Sequence, residues 1–234
     1  MILTEENNLR LRAEYPGLAL TATGIAGVLK FRATYNSQDG RFLILGDDVT
    51  DTVGGLALSG EFKIRIEERS DKSISALPAL HVEDVDPTAE RHFGQKDKSA
   101  CLCSPFEEDE FLQPEFRFRD FLERLVIPFL YGQVFYSDNG RWPWPEYAHG
   151  ATGLLQSYSE MADQSKAADC LQMLAQYRDI WPSIRAALQQ RPYVKGHTPC
   201  FCASRDLIRR CHPSALRGAL RLQQDVRALA LPIP

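Results

Sequence analysis

The sequence predicts an α+β fold: an antiparallel four-stranded meander flanked by helices, with a small helical extension at the C-terminus. Three observations predict it. Strand-like segments come first, spaced as hairpins. Helical periodicity begins only after about residue 117. The last part of the chain then changes its charge sign and gathers half of the cysteines.

Residues 1–20 have mixed polarity and are expected as a short helix or arm. Val28–Tyr35 is rich in β-formers, and Asn36-Ser37-Gln38-Asp39-Gly40 reads as the turn after it. Phe42–Leu45 is a second short strand. Gly60–Glu67 alternates strictly between apolar and polar residues, so one face is buried and one is wet. Leu77-Pro78-Ala79-Leu80-His81-Val82 is the fourth strand. Residues 84–116 are irregular, and such long segments in compact domains usually serve function. They contain His92, Cys101, Cys103 and the acidic run Glu107-Glu108-Asp109-Glu110.

Apolar positions 118, 121, 122, 125, 126, 129 and 130 carry the spacing of an amphipathic helix, with Pro128 expected to bend it or interrupt its hydrogen bonds. Asp138–Pro145 is a turn-rich aromatic loop. Residues 165–181 and 183–190 read as helix, broken at Pro182. Ser214 is the expected N-cap of a last helix carrying Leu216, Leu220, Val226 and Leu229.

The chain has 234 residues, 44% of them hydrophobic, which suits a globular domain with an appendage rather than a disordered chain. No stretch approaches the roughly 18 uninterrupted apolar residues of a membrane span. Met1-Ile2-Leu3-Thr4-Glu5-Glu6 lacks the basic-then-apolar pattern of a secretion signal, so a cytoplasmic protein with no membrane partner is expected. No Walker or dinucleotide pattern is present. Residues 191–234 hold eight Arg/Lys and two Asp/Glu, whereas the remaining 19 basic and 29 acidic residues leave residues 1–190 at −10. An acidic body with a basic tail points to two units with different partners. Eight basic residues spread over 44, with few aromatics between them, do not predict nucleic-acid binding.

The six cysteines fall in groups of two, one and three. In a reducing cytosol they read as ligands or nucleophiles rather than disulfides. Cys200-Phe201-Cys202 is followed after eight residues by Cys211-His212. Two thiolates from a tight turn, with a thiolate and an imidazole returning from a short loop, make a tetrahedral zinc set, and four protein ligands make it structural. His197 is a lesser candidate. Over residues 196–215 this spacing resembles the SEC-C zinc motif, with Ala203-Ser204-Arg205 in place of the family's Gly-Ser-Gly and with Arg205, Arg209 and Arg210 keeping its cationic character. Cys170, inside a helical stretch, reads as core. His81 reads as a packed strand residue and His149 as a structural cap.

The other pair lies in a different context. A proline-bearing strand leads to His92, and nine residues later comes Cys101, within Ser99-Ala100-Cys101-Leu102. Together with the strand meander before and the amphipathic helix after, this resembles the core of ubiquitin-conjugating enzymes. Gly140-Arg141-Trp142-Pro143 and His149-Gly150-Ala151-Thr152-Gly153-Leu154-Leu155 are similar to bacterial members of that superfamily. The resemblance covers roughly residues 20–160 and implies a UBC-like fold and a cysteine-dependent acyltransferase. Cys101 would accept a protein C-terminus as a thioester and pass it to an amine. His92-Phe93-Gly94 replaces the family's His-Pro-Asn, so the asparagine linked to oxyanion support is absent, and His92 is left to order the loop or to act on the amine. Cys103, two residues on, is the alternative nucleophile or a resolving thiol.

A stand-alone protein of this type resembles those of CBASS antiphage operons. That resemblance implies the C-terminal tail of a CD-NTase, a cGAS-like nucleotidyltransferase, as donor. Without a nucleotide-binding pattern the chain is not expected to activate a carboxyl group itself, so it needs a separate activating enzyme or a donor already activated. Residues 1–160 are then the conjugating-enzyme-like domain, 161–192 a helical linker and 193–234 the zinc-binding tail. Two other functions stay open: a UBC-fold module that binds a partner's tail without catalysis, and a zinc adaptor acting through its basic tail.

Overall fold

The computed structural model describes residues 13–46, 54–69, 75, 77–94, 97–113, 116–202, 204 and 206–234. The first twelve residues, Ala203 and Arg205 lie outside them. The chain forms two compact units. One comprises Met1–Cys103 with Glu108–Glu146, and the other Ser104–Glu107 with Tyr147–Pro234.

The first unit is built on an antiparallel sheet of β1 (Leu18–Leu20), β2 (Gly24–Tyr35), β3 (Phe42–Ile44), β4 (Leu56–Glu67) and β5 (Ala79–Val82). The spatial order is β1-β2-β4-β5. β2 and β4 pair along their full length, from Gly24↔Glu67 to Tyr35↔Leu56. The meander expected from the sequence is therefore present with a different membership. β1, expected as helix or arm, is its first strand, since three residues are too few to show a period. β3 stands aside, pairing only with the end of β2 from Ala33↔Ile44 to Tyr35↔Phe42.

Alternation sets the face of each long strand. β4 buries Ile64 and Ile66 while Lys63 and Glu67 face outward. Over the buried face lies a helical run of α1 (Glu108–Phe111), α2 (Phe118–Phe121) and α3 (Ile127–Asn139), with a π-helical turn at Leu122–Val126 joining the last two. Pro128 explains that turn. It has no N–H and its ring would press on the carbonyl four residues back, so the spiral widens just before it instead of breaking. Leu29, Ile64 and Leu80 from the sheet share one core with Phe121, Leu122, Val126 and Leu130. Each such fully buried side chain contributes roughly 1.5–3 kcal/mol.

The second unit is helical: α4 (Gly150–Met161), a 3₁₀ turn at Gln164–Lys166, α5 (Ala167–Ala175), α6 (Trp181–Leu188), α7 (Ile208–Cys211) and α8 (Pro213–Ala228). α4 packs on α8 where Gly218 removes a side chain: a Cβ there would stand 1.8 Å from the Leu155 carbonyl oxygen. Residues 147–160, grouped with the strands by the sequence, thus belong here. The expected linker is core as well, because Cys170, Leu171, Leu174, Ile184 and Leu188 share a cluster with Leu155, Tyr158 and Leu222. Pro213 occupies the first turn of α8, and His212 precedes it at the position expected for Ser214. Among the described residues no helix is long and apolar enough to cross a membrane.

Candidate functional site

In the first unit, residues 92–94 and 97–101 are hydrogen-bonded to one another beside β5. The Cys101 N–H donates to the His92 carbonyl at 2.8 Å, Phe93 and Ala100 bridge, and the Gly94 N–H donates to the Ser99 carbonyl at 2.8 Å. The Ala100 N–H reaches the Leu80 carbonyl at 2.8 Å, which ties the turn to β5. Cys101 emerges exposed from this turn, while Cys103 is half-buried and packs against the core. Dense surroundings, with the nearby Asp97 carboxylate, push the Cys101 thiol up from its ordinary value, and the Arg69 guanidinium opposes this. The resting sulfur is therefore a thiol rather than an activated thiolate.

The turn brings His92 and Cys101 together through the backbone. The His92 ring is otherwise engaged: Nε2 lies 2.7 Å from Glu146 Oε1, and the ring meets Trp142 edge-on at a centroid distance of 4.5 Å. Trp142 in turn donates Nε1–H to the Glu90 carbonyl at 3.1 Å. His92 also holds a left-handed backbone, φ 56°. These contacts make it an organiser of the loop. Glu146, Asp97, Ser99 and Arg69 were not anticipated. Only Asp97-x-Ser99 carried a signal, the Asx turn in which Asp97 Oδ1 accepts from the Ser99 N–H at 3.1 Å. His81 lies on β5, and burial pulls its pKa below the ordinary histidine value. His149 stands just before α4, where its carbonyl accepts from Thr152 Oγ1 at 2.9 Å.

In the second unit the loop before α8 is pinned at its base. Pro199 and Leu207 bridge, the Cys200 N–H donates to the Asp206 carbonyl at 2.8 Å, and the Ile208 N–H donates to the Thr198 carbonyl at 2.9 Å. The buried Gln223 anchors the approach, accepting from the Val194 N–H at 3.0 Å and donating to the Leu188 and Gln190 carbonyls. The end of α7 then returns Cys211 and His212 to the two cysteines of the turn. Cys200 Sγ lies 3.2 Å from His212 Nδ1, and Cys202 Sγ lies 3.5 Å from Cys211 Sγ. All four ligand atoms fall within 4.8 Å of one another, close enough to bind a metal. A tetrahedron with zinc–sulfur arms of about 2.3 Å has edges of about 3.8 Å, so the cluster has the size of a zinc site. His197 is exposed and outside this cluster.

Cys200 is buried, and burial pushes its thiol up. Cys202 sits at the exposed rim; burial works to raise its thiol, but hydrogen bonds from Ser204 draw it down. Ser204 Oγ also lies 3.2 Å from Cys211 Sγ. It is the serine of the Ala203-Ser204-Arg205 stretch, and it touches the sulfurs as a polar neighbour. Cys170 is fully buried, as expected for core, and burial pushes its thiol up too.

Compared with protein-family models, curated proteins and solved structures, the chain gives no significant match to any of them.

Proposed function

We propose that the protein is a ubiquitin-conjugating-like acyl carrier and transferase that works through Cys101. The observation that carries this reading is the hydrogen bond from Cys101 N–H to the His92 carbonyl, which holds an exposed cysteine at the mouth of a turn closed on β5. The sheet order β1-β2-β4-β5 with a helical run after the cysteine supports it.

In the first step Cys101 gives up its proton and its sulfur attacks the carbonyl carbon of a donor C-terminus, activated as a thioester or adenylate by a separate enzyme. A C–S bond forms and the donor's leaving group departs with its electron pair. In the second step a primary amine attacks the thioester. A C–N bond forms, Cys101 leaves as thiolate, and the amine's proton passes to solvent. The donor we propose is the C-terminal tail of the CD-NTase of a CBASS system, and its transfer primes the synthase. We propose zinc for the Cys200, Cys202, Cys211 and His212 cluster. Bound there, it cross-links the loop, and four protein ligands leave no position for water.

The test is intact mass of the protein after incubation with the synthase and activating enzyme. Wild type gains a donor adduct released by hydroxylamine, Cys101→Ser keeps a slower-cleaving oxyester, and Cys101→Ala gains none. An adduct that persists in Cys101→Ala overturns the reading. The second reading, a tail-binding module without catalysis, draws on the protonated Cys101 thiol and on the His92 ring being held by Glu146. It expects Cys101→Ala to bind the synthase tail and to support phage defence as wild type does.

A further inference from the structure

The turn that carries Cys101 is strained and yet fixed. His92 (φ 56°) and Lys98 (φ 57°) both hold left-handed backbone without being glycine. Such residues persist only where their surroundings over-determine them. Arg69, which follows β4, supplies much of that constraint. Its Nε donates to the Leu77 carbonyl at 3.2 Å, Nη1 to Asp97 Oδ2 at 2.6 Å and Nη2 to Ser99 Oγ at 2.9 Å. Asp97 also accepts from the Ser99 hydroxyl at 2.9 Å, and Ser99 is buried. The Arg69 side chain is only 11% exposed. A guanidinium withdrawn from water this far, with all three nitrogens committed, makes a planar fork that lysine does not reproduce.

The same two charges act on Cys101 with opposite sign. Asp97 disfavours the thiolate and Arg69 favours it. The neighbouring titratable group on β5 is His81, which itself feels Arg65, Glu67, Asp97 and Arg69. His92 shares the turn, with its ring on Glu146.

We propose that Arg69 and Asp97 are a positioning pair for Cys101: Arg69 locks the turn that presents the sulfur, and the balance of the two charges sets how readily that sulfur reacts. Neither touches the transferred group, so both act through Cys101. The proposal rests on Cys101 being the reacting thiol of the function above, but its test reads the thiol alone and succeeds or fails whether or not an acyl group is ever carried.

The experiment is alkylation by iodoacetamide across pH, in which a C–S bond forms, iodide leaves and the thiol proton goes to solvent. Cys101 and Cys103 share the tryptic peptide Ser99–Arg117, so fragment ions assign the label. Asp97→Asn speeds Cys101 labelling at pH 7 by about threefold and moves the profile to lower pH. Arg69→Gln slows labelling by a similar factor and moves the profile to higher pH. Arg69→Lys, which keeps the charge without the fork, falls between Arg69→Gln and wild type. Opposite shifts are the signature a merely structural pair would not give, since loosening the turn would expose the sulfur in both variants alike. Shifts in one common direction, or none in Asp97→Asn, overturn the proposal. If Arg69→Gln does not fold by circular dichroism, Asp97→Asn and Arg69→Lys still decide it.

Discussion

The ring of Trp142 lies where a side chain on Gly132 would have to be: a Cβ at Gly132 would stand 2.0 Å from Trp142 Cζ3. Helix α3 thus has a notch that receives the indole, and Trp142 in turn supports the His92 ring. Gly132→Ala should gain up to about 1 kcal/mol of helix propensity and lose more, about 1–3 kcal/mol, to overpacking. Denaturant unfolding followed by tryptophan fluorescence should show a net loss of stability and an altered native spectrum. An unchanged midpoint would show that the indole has room to move.

Metal removal should destabilise the second unit. Elemental analysis is expected to find one zinc per chain, and a strong chelator should lower the thermal midpoint of wild type. Cys211→Ser should lower it as well, and the chelator should then add nothing, because both perturbations remove the same cross-link. A chelator effect that survives Cys211→Ser would place the metal elsewhere.

Tyr158 donates its hydroxyl to Asp225 Oδ2 at 2.6 Å, and its ring is fully buried between α4 and α8. Burial, then the bond to Asp225, hold the phenol well above its ordinary pKa, so it stays a donor at every ordinary pH. Tyr158→Phe leaves a partly buried carboxylate short of one donor and should cost about 1–3 kcal/mol. Urea unfolding of wild type and variant gives the difference directly.

Stability should also fall on mild acidification through His81. Burial lowers its folded pKa below the unfolded value of about 6.5. The unfolded chain therefore binds a proton that the folded one refuses. The His81 contribution is complete above about pH 6.5 and is lost as pH falls toward its folded pKa. His81→Gln should flatten the slope of stability against pH below about pH 6.5. An unchanged slope would assign the acid sensitivity to other groups.

Strand alternation over Gly60–Glu67, the helical spacing from Phe118 and the Cys-x-Cys…Cys-His order are local patterns, and each is matched by a β4 face, a helical run and a four-ligand cluster. β1 was not legible, because three residues show no period and its pairing with β2 is a tertiary event. The place of α4 was not legible either. Its partner α8 begins some fifty residues later, and only packing of Leu154, Leu155 and Tyr158 with Leu222 and Val226 assigns it. Arg69 and Asp97, 28 residues apart, likewise meet only once β5 and its turn have formed.

What the amino-acid order decided alone was chemistry that depends on short separations: which residues alternate, which can cap or turn, and which four side chains return within a dozen positions to one metal-sized space. What only the tertiary structure decided was surroundings. Cys101 is exposed yet its thiol is held up by its dense surroundings and Asp97, and the His92 ring is tied to Glu146. The reason is physical. A thiol's reactivity depends on solvent access and on nearby charges, and here Asp97 is close in sequence while the opposing Arg69 comes from the segment after β4 and meets it only through the fold.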